Sequence, residues 1–261
     1  MSMHAALITF TVATICWSLW IRRVTWTRRM EVAATLNIAL QAAALFLMSP
    51  LASSTIGLAP HALTGCWNLE DLLAHDLYIV AASAIVYHML LRLDRQQLTR
   101  RFRLHIELPA TISLPIMLAL FTFGPGAQEY RADFFRAPTD WWLNAYWWVI
   151  CGTLIYLLGY SVLALIPMWH EPSIRGLSAA YMLAAGAGIV ACLARIATTL
   201  LPAAMQDTSG ASLAVWVPAC LCGAGYAAIL AQSWLTKNRV TGRQSQGRIR
   251  PDGQEFSGAA S

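Results

Sequence analysis

Three side chains within apolar stretches carry most of the chemistry open to this chain: His75, Asp76 and Arg195. Ionisable groups in a membrane interior are costly and usually face protein rather than lipid. Placed in segments as apolar as 69–91 and 176–200, these three read as an intramembrane polar site. The two segments run antiparallel. His75 and Asp76 sit about two turns from one end, and Arg195 about one to two turns from the matching end of its own segment. Two arrangements satisfy that common depth. Asp76 and Arg195 pair, with His75 beside them, or each reaches the interface or local water separately, since arginine snorkels over a turn or more.

Other polar residues extend the site. Asp76, Ser83 and Tyr87 follow a helical i, i+7, i+11 spacing and form a candidate seam, which Asn37 and Gln41, one turn apart, could face. Such a seam suits a solute path, and it suits plain hydrogen bonding between helices better. Gly176, Ala180, Ala184, Gly188 and Cys192 recur every fourth residue, a spacing of small side chains that lets helix backbones approach. Arg195, seven positions beyond Gly188, shares that face.

Familiar catalytic patterns are missing. His75 and His88 lie on one helix as in membrane cytochromes, but His4, His61, His105 and His170 offer no matching pair on another, so no haem is expected. Cys220 and Cys222 are too closely spaced for the usual zinc pair. Neither a His-Glu-x-x-His motif nor a Gly-x-Ser-x-Gly motif occurs. The single lysine, Lys237, lies beyond the last apolar segment, which leaves no site for a retinal Schiff base. The expectation is a protein that is not an enzyme and holds no metal or cofactor. Asn68, Glu70 and Asp71 read as a helix start, with Asn68 as N-cap and the acids in the first turn.

The elements that must position these groups are seven apolar segments: 3–20, 32–49, 69–91, 108–124, 141–168, 176–200 and 212–235. Each approaches the length of about 20 residues that a spanning helix needs. Pro115 should kink the fourth, and Pro218 with Gly223 and Gly225 should interrupt the seventh. All eighteen Lys and Arg residues except Arg131, Arg136 and Arg195 fall in every second loop or in the tail. Positive loops stay on the cytoplasmic side, so the N-terminus is outside and the C-terminus inside. Tryptophan agrees: Trp141, Trp142, Trp147 and Trp148 mark the outer interface, and Trp17, Trp20, Trp169 and Trp234 the inner one.

The chain of 261 residues is 57% hydrophobic and 12% charged, against about 25% charged in soluble domains. Its net charge of +5 is matched to anionic lipid headgroups rather than to nucleic acid. Segment 3–20 has arginines after it and none before it, the reverse of a secretory signal. Of six cysteines only Cys66 falls in an outer loop, so no disulfide framework is implied. Residues 1–235 form one membrane domain, and 236–261 a basic tail too polar to bury a core.

Two stretches, NLEDLLAH at 68–75 and RGLSAAYMLAAGAG at 175–188 continuing to Arg195, resemble an actinobacterial family of multipass membrane proteins described as transporters. Its members are often encoded beside helix-turn-helix regulators. The resemblance covers most of segments three to seven in order and implies a transport function. The residues and the resemblance together predict an all-α bundle of seven transmembrane helices in the cytoplasmic membrane, moving a small molecule or ion past His75, Asp76 and Arg195. The rival reading is a sensor or accessory protein that docks a cytoplasmic protein partner on Arg92, Arg95, Arg100, Arg101 and Arg103.

Overall fold

The computed structural model describes residues 3–92 and 102–247, with side chains through residue 237. Among these residues the fold is helical throughout, without strands. Seven long helices coincide with the apolar segments: α1 Met3–Ile21, α2 Val32–Leu47, α3 Leu69–Arg92, α4 Leu108–Phe123, α5 Trp141–Trp169, α6 Arg175–Thr199 and α7 Ser209–Gly247. Local chemistry sets several of the boundaries. The Asp140 carboxylate accepts from Leu143 N at 2.8 Å and caps α5. Ser49 caps a short helix, Pro50–Thr55, which opens with proline where no backbone donor is needed. A π-helical turn, Arg103–Glu107, leads into α4.

Six of the long helices are long and apolar enough to cross a membrane, and they make this a helical membrane protein. Helix α4 does so together with the π-helical turn before it, as Arg103–Phe123; the seventh expected span, α2, has regular turns over only 16 residues. At 1.5 Å per residue that is about 24 Å, less than a hydrocarbon core of about 30 Å. Two short helices, Pro50–Thr55 and Leu58–Thr64, follow it. The expected interruption of the seventh segment is corrected. Helix α7 runs unbroken through Pro218 and on to Gly247, beyond the expected end at 235. The rest of the tail lies outside the described residues.

The long helices pack as a closed ring. Helix α1 lies against α2, α2 against α3, α3 against α5, α5 against α6, α6 against α7, and α7 returns to α1. Helix α4 stands outside this ring of six, on α5 and α3. Because neighbouring chain directions alternate, the bundle has two faces. The first holds the starts of α1, α3, α5 and α7, and the second holds their ends.

A long loop, residues 124–140, folds over the first face. Asn68, in the left-handed region at φ 56°, donates from its side chain to Gly126 O and Glu129 O, each at 2.7 Å. Its side-chain oxygen accepts from Arg131 N at 3.0 Å. Asn68 therefore anchors the loop with its side chain instead of capping α3 with it. Arg131 and Arg136 both reach Asp207, at 3.3 and 2.8 Å. So fastened, the loop inserts Phe134 and Phe135 into the core.

Candidate functional site

Inside the ring lies a cavity of about 100 Å³. Asn37 and Gln41 of α2, His75 of α3, Phe135 of the loop, Trp147 of α5 and Arg195 of α6 give it its character. Much of the remaining wall is apolar: Ala81, Ala82, Ile150, Leu154, Leu158, Ala191 and Val215 among others. A close approach of backbones forms one side. A Cβ on Gly188 would lie 2.7 Å from Leu158 Cδ1 and 3.0 Å from Cys222 Sγ, so a larger residue there would have to push the Leu158 side chain aside. Opposite, a Cβ on Gly223 would come within 3.1 Å of Gln41 Oε1.

Arg195 governs the electrostatics. It is 1% exposed. Its Nη1 donates to Phe135 O at 3.0 Å and to Thr198 Oγ1 at 3.1 Å. Its guanidinium carbon stands 4.2 Å from the centre of the Trp147 ring, a desolvated cation–π contact. Among the described residues Nε and Nη2 have no acceptor, and no carboxylate forms an ion pair with it. His75 is held beside it. Its Nδ1 shares a 2.6 Å hydrogen bond with the Tyr146 hydroxyl, its ring meets Trp147 edge-on at 5.0 Å, and its Nε2 has no partner.

Of the three intramembrane groups expected to form the site, the structure brings His75 and Arg195 to the same cavity. Asp76 does not line it. Successive helical residues point about 100° apart, so a helix that turns His75 inward turns Asp76 aside. The cavity face of α3 is His75, Tyr78, Ala81 and Ala82, not Asp76, Ser83 and Tyr87. Ser83 bonds its own backbone at Ile79 O, 3.0 Å away, and Tyr87 packs edge-on to Phe102 at 5.2 Å. Asn37 and Gln41 do face inward. Asn37 Nδ2 donates to Ala81 O at 2.7 Å, and Gln41 Nε2 donates to Asn37 Oδ1 at 3.1 Å.

The small-residue stripe divides. Ala184 and Gly188 are buried in helix contacts, Ala180 is half-buried, and Gly176 is exposed with nothing near its missing Cβ. Of the proposed docking arginines, Arg92 turns towards Glu31 at 3.9 Å, while Arg103 is exposed. Arg95, Arg100 and Arg101 lie outside the described residues. Trp147, expected at the interface, is instead 1% exposed and forms part of the core, while Trp141, Trp142 and Trp148 remain on the surface. Trp234, also expected at an interface, is buried, beneath the Arg28 guanidinium at 4.9 Å.

Phe135 and Trp147 were not legible as site residues. Trp147, Ile150, Cys151, Leu154 and Leu158 have the right spacing for one face of α5. The other faces of that helix are equally apolar, so the sequence offers no contrast to reveal it. Phe135 comes from a loop whose docking depends on Asn68, Asp207 and Ser212, remote in sequence.

The second face carries a different cluster. Arg22, 1% exposed, donates to Glu31 at 3.1 Å, to Thr35 Oγ1 at 3.3 Å and to Leu230 O at 3.0 Å. Glu31 also takes Lys237. Burial by itself would raise the Glu31 carboxyl, but the hydrogen bond and charge of Lys237, joined by His88 and Arg22, hold it down at about 2. Next to this cluster opens a cleft of about 1010 Å³ bordered by Arg28, Arg29, Arg92 and Lys237.

Among the described residues no three His, Cys, Asp or Glu side chains converge as a metal site would require. His75 and His88 serve opposite ends of α3, on Tyr146 and on Met30 O. No protein-family model, curated protein or solved structure matches this chain.

Proposed function

We propose that the protein is a small-molecule transporter of the cytoplasmic membrane and that its solute is held in the cavity within the helix ring. The observation that carries this reading is the cavity itself. It is walled by α2, α3, α5, α6 and α7, with polar groups from Asn37 and Gln41 and from His75 and Arg195, and apolar side chains elsewhere. A small-molecule site has this character: mostly apolar, with a few placed polar groups that fix orientation. The loop bearing Phe135 covers the first face and is positioned to act as a gate. In this reading the first face is outside and the second inside, because Arg28, Arg29, Arg92 and Lys237 gather on the second and suit anionic lipid headgroups.

The test is solute release from proteoliposomes. Vesicles containing the full-length protein are loaded with a small-molecule extract of the host cell, and departing solutes are identified by mass spectrometry. Wild-type protein should release one solute class, and Ala191→Leu, which fills the cavity, should slow that release. Retention of every solute by wild-type vesicles would overturn the proposal. The cleft beside Arg28, Arg29 and Lys237 favours a second reading, an accessory protein docking an acidic cytoplasmic partner. On that reading, replacing Arg28 and Arg29 abolishes the cellular phenotype and Ala191→Leu leaves it intact.

A further inference from the structure

What the cavity wall leaves unpaired specifies its ligand. Arginine keeps its proton under all ordinary conditions, and burying a charge without a counter-charge is expensive. Arg195 nevertheless lines the cavity without a carboxylate among the described residues. Protein acceptors engage only Nη1. The two nitrogens left over, Nε and Nη2, form one edge of the guanidinium. That edge presents two parallel N–H groups, the geometry that grips a carboxylate with two hydrogen bonds. Trp147 holds the guanidinium plane in place, so the fork is set before a ligand arrives.

The nearby acids do not complete the pair. Asp133 accepts from Ser212 at 2.6 Å, from Phe135 N at 3.3 Å and from Trp216 Nε1 at 3.4 Å. Asp76 is not among the residues that line the cavity and forms no ion pair with Arg195. His75 Nε2 supplies a further unpartnered polar atom on the same wall. Away from these groups the wall is apolar, with Ile150, Leu154 and Leu158 in position to meet a hydrocarbon body. The volume of about 100 Å³ is below that of the roughly 150 Å³ cavity that accepts benzene in an engineered protein. The ligand is therefore small. With one arginine in the wall, a single negative charge is the match.

We propose that this cavity binds a small organic monoanion. Its carboxylate is gripped by the Nε–Nη2 edge of Arg195, and its short apolar body lies along α5. The proposal rests on the transporter reading for the biological use of the site and specifies the class of solute.

The experiment is a thermal-unfolding titration of the purified full-length protein in detergent. The probes are butyrate, its neutral amide butyramide, oleate, and inorganic phosphate. Butyrate should raise Tm saturably, as a ligand of the native state must. The matching amide should bind about tenfold or more weakly, the loss expected for charge-assisted hydrogen bonds. Arg195→Gln should remove the preference for acid over amide, and Arg195→Lys, which keeps the charge but not the fork, should weaken it. If either variant fails to fold, the acid–amide comparison on wild-type protein still decides.

Equal binding of acid and amide, sensitive to Ala191→Leu, would overturn the anion and leave the cavity reading standing. Preference for phosphate would overturn the organic acid. Preference for oleate would reassign the carboxylate to membrane fatty acid and overturn the small ligand. Saturable acid binding without solute release from vesicles would uphold the anion site and overturn transport. No shift with any probe would overturn the anion, and solute release would then judge transport by itself.

Discussion

Arg22 and Arg195 are equally buried and yet play opposite parts. Both are 1% exposed, and both donate to a main-chain carbonyl on another element and to a threonine hydroxyl. Arg22 also has Glu31 at 3.1 Å, and Glu31 is shared with Lys237. Its charge is balanced by the protein, and its contacts tie α1 to α2 and α7. Arg195 has an aromatic face in place of a carboxylate, and the remaining edge of its guanidinium has no acceptor among the described residues. Burial alone does not distinguish a structural arginine from a functional one. The counter-charge does: where the fold supplies it the residue is a fastener, and where it is withheld the residue is, on the proposal above, a receptor.

The largest expected effect comes from removing the counter-charge of the fastener. Glu31→Leu strands the Arg22 guanidinium and should cost about 3–5 kcal/mol of stability, as breaking a buried ion pair does. The double variant Arg22→Met/Glu31→Leu should recover most of that loss. Reversible unfolding in mixed micelles measures both. A Glu31→Leu protein as stable as wild type would remove Arg22 from the structural side of the comparison.

Next is Trp147→Leu, which exchanges the ring under Arg195 for an aliphatic side chain. A loss of about 2 kcal/mol is expected from the desolvated cation–π contact, in addition to lost packing. Trp147→Phe should lose less. The same unfolding measurement ranks the two, and equal stability of both variants would mean that the ring does not hold the guanidinium.

Arg195→Met should change stability by about 1 kcal/mol or less, in either direction, since relief from the cost of burying the charge offsets the lost cation–π contact and hydrogen bonds. Solute release from proteoliposomes should nevertheless disappear. A loss of stability as large as that of Glu31→Leu would make the two arginines alike and collapse the distinction.

The pH dependence of the Glu31 ion pair sharpens the comparison at the second face. The Glu31 carboxyl is held below its ordinary value of 4.5, at about 2. Its folded value is the depressed one, so its stabilisation is fully present above pH 4.5 and fades as pH falls towards 2. Tm measured against pH should therefore show a Glu31→Gln deficit that is constant from neutral pH down to 4.5 and narrows at lower pH. A deficit that grew on acidification would have the wrong sign for an ionised Glu31.

Hydropathy made the helix positions readable because a run of apolar residues has few other uses. The ends of α5 and α6 fall within a residue or so of the expected ones. Which side of each helix faces inward was harder to read. In a soluble helix the polar face gives the answer by contrast. In α5 the lipid side and the protein side are both apolar, so Trp147 could not be told from Trp148. The same ambiguity placed Asp76, not His75, in the seam, because a charged side chain draws attention whichever way it points. His75 and Arg195 were legible through their cost in an apolar segment. Phe135 and the Asn68 anchor were not, because they depend on contacts between residues that only the folded chain brings together.

The closure of the ring between α1 and α7 has a consequence for how the protein is made. The Ser18 hydroxyl donates to Ala227 O at 2.7 Å, and Arg22 donates to Leu230 O at 3.0 Å. Helix α1 and the residue after it, made before the other long helices described, thus donate their hydrogen bonds to α7, made after them. Until α7 is inserted, α1 has no mate on that flank and the cavity has no wall at Val215, Ala219 and Cys222. A nascent chain halted before α7 therefore exposes Ser18 and Arg22 to lipid and lacks a complete site. The ring and the cavity wall are thus completed by the same helix.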